Sequence, residues 1–137
     1  MEVILGRDID DALSKEYRNY LTGHLTRPQL HLNHLEDDIE IGISEYTEFT
    51  ADTPHLHPIA TEHCYVLKGS IKIRYYTDYM EEVELHQGDF FMFRPGEWHA
   101  TKNKKGTRIL FIKSPGTNDK TLMDVDDDTQ EWLKHWD

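Results

Sequence analysis

The stretch His55-Leu56-His57-Pro58-Ile59-Ala60-Thr61-Glu62 holds three groups that can donate electron pairs to a metal. On a strand, side chains two apart share a face, so His55 and His57 point the same way, about 7 Å apart along the chain. Imidazoles reach a few ångströms from the backbone, so this pair can converge on one ion. Leu56 then faces the outer packing. Pro58 cannot donate to a sheet ladder, which places it at the end of this strand or at an edge. The chain can then turn and present Glu62 from the next strand. Glu62 and His63 are adjacent and face opposite sides, so only one of them can join the cluster. The same separation of His63 from Cys64 weakens a cysteine–histidine nucleophile. Taken alone, a His-x-His pair is equally consistent with surface histidines of a small acidic protein.

The second half of the chain changes that balance. Gly88, Gly96, His99 and Asn103 follow at fixed spacing, and six residues separate Glu62 from Gly69. The sequence here resembles the cupin superfamily. The first cupin motif (His-x-His, three or four residues, Glu, six residues, Gly) reads as His55, His57, Glu62 and Gly69. The second (Gly, five residues, Pro-x-Gly, two residues, His, three residues, Asn) reads as Gly88, Gly96, His99 and Asn103. Two positions depart from the pattern. Phe49 stands where a Gly usually precedes the first His, and Arg94 takes the place of the Pro, with Pro95 following. Pro95-Gly96 still makes a turn, and neither departure removes a ligand.

The resemblance implies that His55, His57, Glu62 and His99 bind one divalent metal in a small barrel with an open mouth. Three imidazoles and a carboxylate suit iron(II), manganese, cobalt, nickel, copper or zinc, and do not suit calcium or magnesium. Four protein ligands on an octahedral ion leave two positions for water, dioxygen or a chelating substrate.

Around the metal, Tyr65, Arg94, Glu97 and Asn103 are candidate substrate or outer-sphere groups. Phe91 and Phe93 belong to a continuous apolar run and read as core. Ile71 and Ile73 read as barrel interior, which turns Arg74 outward as a solvated or dimer-facing charge. Lys102, Lys104 and Lys105 read as a solvated basic loop. His24, His31, His34, His86 and His135 lack a comparable constellation and read as surface or satisfied histidines.

The elements that must position these groups are mostly strands. Ile39, Ile41 and Ile43 alternate with Glu40, Gly42 and Ser44, a period of two. Further strands are expected at 64–67, 71–76, 82–85, 90–93 and 107–113, punctuated by Gly, Pro and Asp turns. No helical crossover interrupts them, which argues against a parallel sheet. The fold class is all-β: a single antiparallel β-barrel, or double-stranded β-helix (jelly roll), with short N- and C-terminal helices. One domain over 1–137 has its barrel core at about 39–113. The N-terminal helix is expected at about 9–22, from Ile9, Ala12, Leu13, Tyr17 and Tyr20, with Asp10 or Asp11 as cap and Gly23 as stop. The C-terminal helix is expected at about 128–136, packed across the barrel through Trp132, Leu133 and Trp136.

The chain has 137 residues, 15 Lys plus Arg and 26 Asp plus Glu, a formal charge of −11. Such a balance repels phosphate backbones and excludes nucleic acid as a main partner. The apolar runs are too short to cross a membrane, and Met1–Arg7 does not read as a secretion signal. Cys64, the one cysteine, has no internal disulfide partner, which points to the cytoplasm. The expected function is metal-dependent catalysis (a dioxygenase, isomerase, epimerase or lyase) on a small polar molecule, sugar-like or a hydroxy acid. The alternatives are a non-catalytic ligand-binding module and a structural dimer with a vestigial site. A homodimer fits all three.

Overall fold

Short alternating segments in this chain pair into two antiparallel sheets of five strands each. The computed structural model describes residues 1, 3–23, 29 and 38–137. The histidines at 24, 31 and 34 lie outside these. Helix α1 (Gly6–Lys15) leads into β1 (Arg18–Thr22), β2 (Glu40–Tyr46), β3 (Thr50–Leu56) and β4 (Thr61–Lys68). Next come β5 (Ser70–Tyr76), β6 (Met80–His86), β7 (Phe90–Phe93), β8 (His99–Asn103), β9 (Thr107–Ser114), β10 (Thr121–Leu122) and helix α2 (Asp127–Trp132). One sheet has the order β1-β2-β9-β4-β7 and the other β10-β3-β8-β5-β6. The expected single barrel is thus two sheets rather than one closed hydrogen-bonded ring.

The core holds Cys64, Val66, Ile71, Ile73, Phe93, Ile109 and Phe111. Truncating one such side chain to alanine costs about 2–5 kcal/mol for a large aliphatic or aromatic residue. Not every inward position is apolar. On β2 the more buried positions are Glu40, Gly42 and Ser44, whereas Ile41 and Ile43 are only partly buried. The Phe111 ring lies directly over Gly42, where a methyl group would overlap it. Polar inward positions on β2 open a polar space within the fold.

The N-terminal helix is shorter than its spacing predicts. It ends at Lys15, and Glu16 is already extended. Neither Asp10 nor Asp11 caps it, because the helix starts earlier, after Leu5. Asp10 instead pairs with Arg108 at 3.0 Å. Residues 18–22 form β1 against β2, with Arg18 opposite Ser44. The helical spacing of Tyr17 and Tyr20 is overridden because the edge of β2 offers backbone partners to a segment rich in aromatics. Gly23, at φ +136°, lies against Glu40 instead of closing a helix.

At the other end α2 is capped by Asp126, which accepts from the Thr129 amide at 2.7 Å. The segment packs on the outer face of β5 and β8. Lys102 is 1% exposed rather than solvated, and its ammonium donates to the Trp132 and His135 carbonyls at 2.8 Å each. Arg74 does face outward, but Asp128 and Glu82 hold it, at 2.8 and 3.3 Å, under the Trp132 ring. No helix among the described residues is long and apolar enough to cross a membrane.

Candidate metal centre

Pairing of β3 with β8 sets His55 directly opposite His99. Opposed residues on neighbouring strands share a face, which brings the two rings to 4.3 Å between centroids. His57 follows one residue past the end of β3, its ring 5.4 Å from His55 and 6.1 Å from His99. Each of the three offers a ring nitrogen, and these atoms all lie within 4.8 Å of one another. All three residues are buried. Phe93 stacks flat on His99, with centroids 3.5 Å apart and planes 4° apart.

The turn containing the Arg94 departure is intact. Gly96, at φ +81°, donates its amide to the His57 carbonyl at 2.8 Å. Phe49 sits in the short link just before β3. Neither departure disturbs the cluster.

The outer nitrogen of every ring is engaged. His55 Nδ1 lies 2.8 Å from the Thr53 carbonyl, and His99 Nδ1 lies 3.0 Å from the Glu97 carbonyl. His57 Nδ1 lies 2.9 Å from Asp119 Oδ1. Carbonyl and carboxylate oxygens only accept, so each Nδ1 carries a proton and each Nε2 is the nitrogen left for a ligand. That arrangement orients metal-binding histidines. Glu62 Oε2 stands 3.2 Å from His57 Nε2, on the cavity side of β4. His63, its neighbour, turns to the opposite face against Phe90, with ring centroids 6.2 Å apart.

Electrostatics divide the three imidazoles. Burial pushes His99 down to about 4, with His55 adding repulsion. Burial also lowers His55, partly opposed by Asp52. Burial would lower His57 as well, but its bonds to Glu62 and Asp119 hold it above the usual 6.5. Burial alone would raise Glu62, and the hydrogen bond and charge of His57 keep it well below the ordinary carboxylate range. Burial thus favours the neutral form of His55 and His99, whereas the carboxylates of Glu62 and Asp119 favour the protonated form of His57.

The other sequence candidates divide. Asn103 is buried and lines the cavity, its Oδ1 without a partner. Tyr65 points away, 42% exposed on the outer face of β4, because it alternates with inward Cys64 and Val66. Arg94 and Glu97 line a separate apolar groove with Tyr75 and Phe91. The Glu97 carboxylate accepts from the Arg94 amide at 2.9 Å, so Glu97 reaches the centre only through its carbonyl on His99. Cys64 is buried against the cavity, and burial pushes its thiol up.

Asp119 is the residue that spacing missed. Its Oδ2 accepts from the Ile59 and Ala60 amides, each at 2.8 Å, while Oδ1 holds His57. It lies in the link after β9, 62 positions from His57, and no local pattern marks it. Asp119→Asn is expected to lower metal affinity by about 10–100-fold. Competition with a fluorescent chelator measures it, and unchanged affinity would remove Asp119 from the centre.

Comparison with known proteins agrees with this geometry. No curated protein matches the sequence. A conserved protein with a double-stranded β-helix domain from Klebsiella pneumoniae superposes with TM-score 0.56 at 17% identity, over 66% of this chain and 78% of that one. KdgF from Halomonas sp. does so with TM-score 0.54 at 20% identity, over 61% and 74%. Oxalate decarboxylase from Bacillus subtilis gives 0.56 at 16% identity, over 64% of this chain but 24% of its own. At such identities the likeness is one of fold. A family profile described as a cupin domain matches residues 45–113, half of the chain, and with both sheets and the histidine cluster in place the chain belongs to the cupin family.

Proposed function

We propose that this protein is a metal-dependent enzyme acting on a small polar molecule chelated at one divalent transition metal. The observation that carries the reading is the engagement of all three Nδ1 atoms, which leaves Nε2 free for a ligand on rings whose donor atoms lie within 4.8 Å of one another. His55, His57 and His99 would hold the ion, with Glu62 as fourth ligand. The metal would supply Lewis-acid or redox chemistry at its two remaining positions. Asp119 and the Thr53 and Glu97 carbonyls keep the rings oriented, and Phe93 shields one side of His99.

The cavity has two lobes, of about 60 and about 90 Å³. That is room for a ligand of on the order of ten non-hydrogen atoms, which favours a hydroxy acid or a single sugar-like unit. Among similar folds, one is an oxalate oxidase solved with glycolate, a small hydroxy acid. We place the protein in the cytoplasm, because its single buried cysteine needs no oxidising compartment. We also propose a homodimer, since Tyr65, Leu67 and Phe90 are exposed on neighbouring strands β4 and β7.

Elemental mass spectrometry of the untagged chain, after reconstitution with each ion in turn, tests the reading. One equivalent of iron directs the search to oxygen consumption. One equivalent of zinc, manganese or nickel directs it to isomerase, epimerase or lyase assays. No bound metal with any ion sinks the proposal. Metal without turnover on a panel of hydroxy acids and sugars would favour the binding module. Sedimentation of the same samples checks the dimer, which a monomer mass would reject.

A further inference from the structure

Both lobes of the cavity share one cation, Arg18 of β1. Its Nε donates to Ser44 Oγ at 3.2 Å, and its Cζ lies 5.3 Å from the ring centres of Tyr17 and Phe111. Tyr46 and Tyr20 also lie beside it. These neighbours are neutral, and no carboxylate of the described residues pairs with it. The other cations lining the lobes are matched: Lys113 with Glu40 at 3.1 Å and Lys120 with Asp52 at 2.9 Å. Glu62 is engaged with His57. A guanidinium has five N–H donors in a rigid fork, so Arg18 keeps donors in reserve.

We propose that Arg18 is the anion anchor of this cavity and that the ligand is a small carboxylate. One end of the ligand sits on Arg18, and an oxygen at the other reaches the histidine cluster. The inference rests on the metal-site reading above and adds the ligand's charge to it. A divalent ion is balanced by Glu62 and by Asp119 behind His57, so the charge of Arg18 is the one left over. A neutral sugar would leave it unmatched in a sheltered space, which is costly. A carboxylate on Arg18 neutralises it, while a neutral hydroxyl oxygen of the same ligand reaches the metal. Arg18 can bind that carboxylate through two parallel N–H bonds. The partnerless Oδ1 of Asn103, in the inner lobe, is left to accept from a ligand hydroxyl.

Calorimetric titration of the full chain, first with zinc(II) and then with ligand, tests this. The probes are glycolate, malonate and D-glucuronate, beside their neutral counterparts glycolamide, malonamide and D-glucose. At least one acid is expected to bind about tenfold or more tightly than its neutral counterpart. Arg18→Met and Arg18→Gln should each erase that preference and leave zinc affinity within about twofold. If Arg18→Met fails to fold, Arg18→Gln, which keeps an amide donor and loses the charge, decides. Acids and neutral probes binding alike to the parent chain, or a preference surviving loss of the arginine, would overturn the anchor while leaving the metal site standing. Failure of the parent chain to take up zinc or any other transition ion in the first titration would overturn both.

Discussion

Replacing His99 with alanine is expected to abolish stoichiometric metal binding, weakening affinity by roughly a thousandfold or more, beyond the about 10–100-fold for an outer-sphere partner. His99 sits directly across from His55 in the β3–β8 pair, so it closes the cluster from the neighbouring strand. Its loss leaves His55, His57 and Glu62. A second effect travels with the first. His99 is 2% exposed and stacks flat on Phe93, so alanine leaves a void beside the core. That void costs about 2–4 kcal/mol in the metal-free chain. The two effects separate by comparing metal-free and metal-loaded melting of both proteins. The parent should gain melting temperature on adding metal, and His99→Ala should gain almost none. A variant that melts lower but still gains as much as the parent would show that His99 packs without ligating.

Acid should destabilise the metal-free protein between pH 6.5 and 4. A group whose folded pKa is depressed contributes stability that is present above its unfolded value and lost as pH falls through its folded value. For a histidine the unfolded chain binds the proton first, near 6.5, while buried His99 stays neutral to about 4. That difference corresponds to about 3 kcal/mol lost across the interval. His55, lowered by burial, acts with the same sign. His57 does not oppose it: with a raised pKa its contribution is complete below 6.5 and fades only as pH rises through the folded value. Glu62 and Asp119, both held low, add to the loss only below the ordinary carboxylate range. Metal steepens the dependence, because each bound Nε2 must remain unprotonated. Urea unfolding at pH 7 and pH 4.5 reads the effect, and His99→Gln should flatten the acid limb. Equal midpoints at the two pH values would show that His99 takes up its proton without strain.

Local spacing carries some of this protein and misses the rest for identifiable reasons. His55 and His57 share a face because strand side chains alternate, and that follows from two positions alone. The opposition of Glu62 and His63 follows in the same way, and the structure turns them to opposite sides as alternation requires. The alternation of β2 was equally legible, but alternation states only that two faces differ. Which face lies inside depends on what covers the other. Glu40, Gly42 and Ser44 turn inward, where Phe111 needs the space over Gly42, and Ile41 and Ile43 turn outward. Tyr65 fails as a site residue on the same ground, being one step out of phase with Cys64.

The helix over 9–22 failed differently. Its first half is helical in spacing and in fact, but an open edge on β2 draws residues 18–22 into a strand. Tertiary pairing outweighs a propensity worth tenths of a kcal/mol per residue. That switch is what carries Arg18 to the cavity. Asp119 was invisible for another reason, since it meets His57 across 62 positions and no period links them. Residue type and neighbours one to seven positions away were enough for the shared face of His55 and His57, the opposed faces of Glu62 and His63, and the sheet-forming segments. Which faces turn inward, which cation of the described residues lies beside the histidines without a carboxylate, and which carboxylate orients the rings all depend on contacts between segments far apart in the chain, and no local pattern carries them.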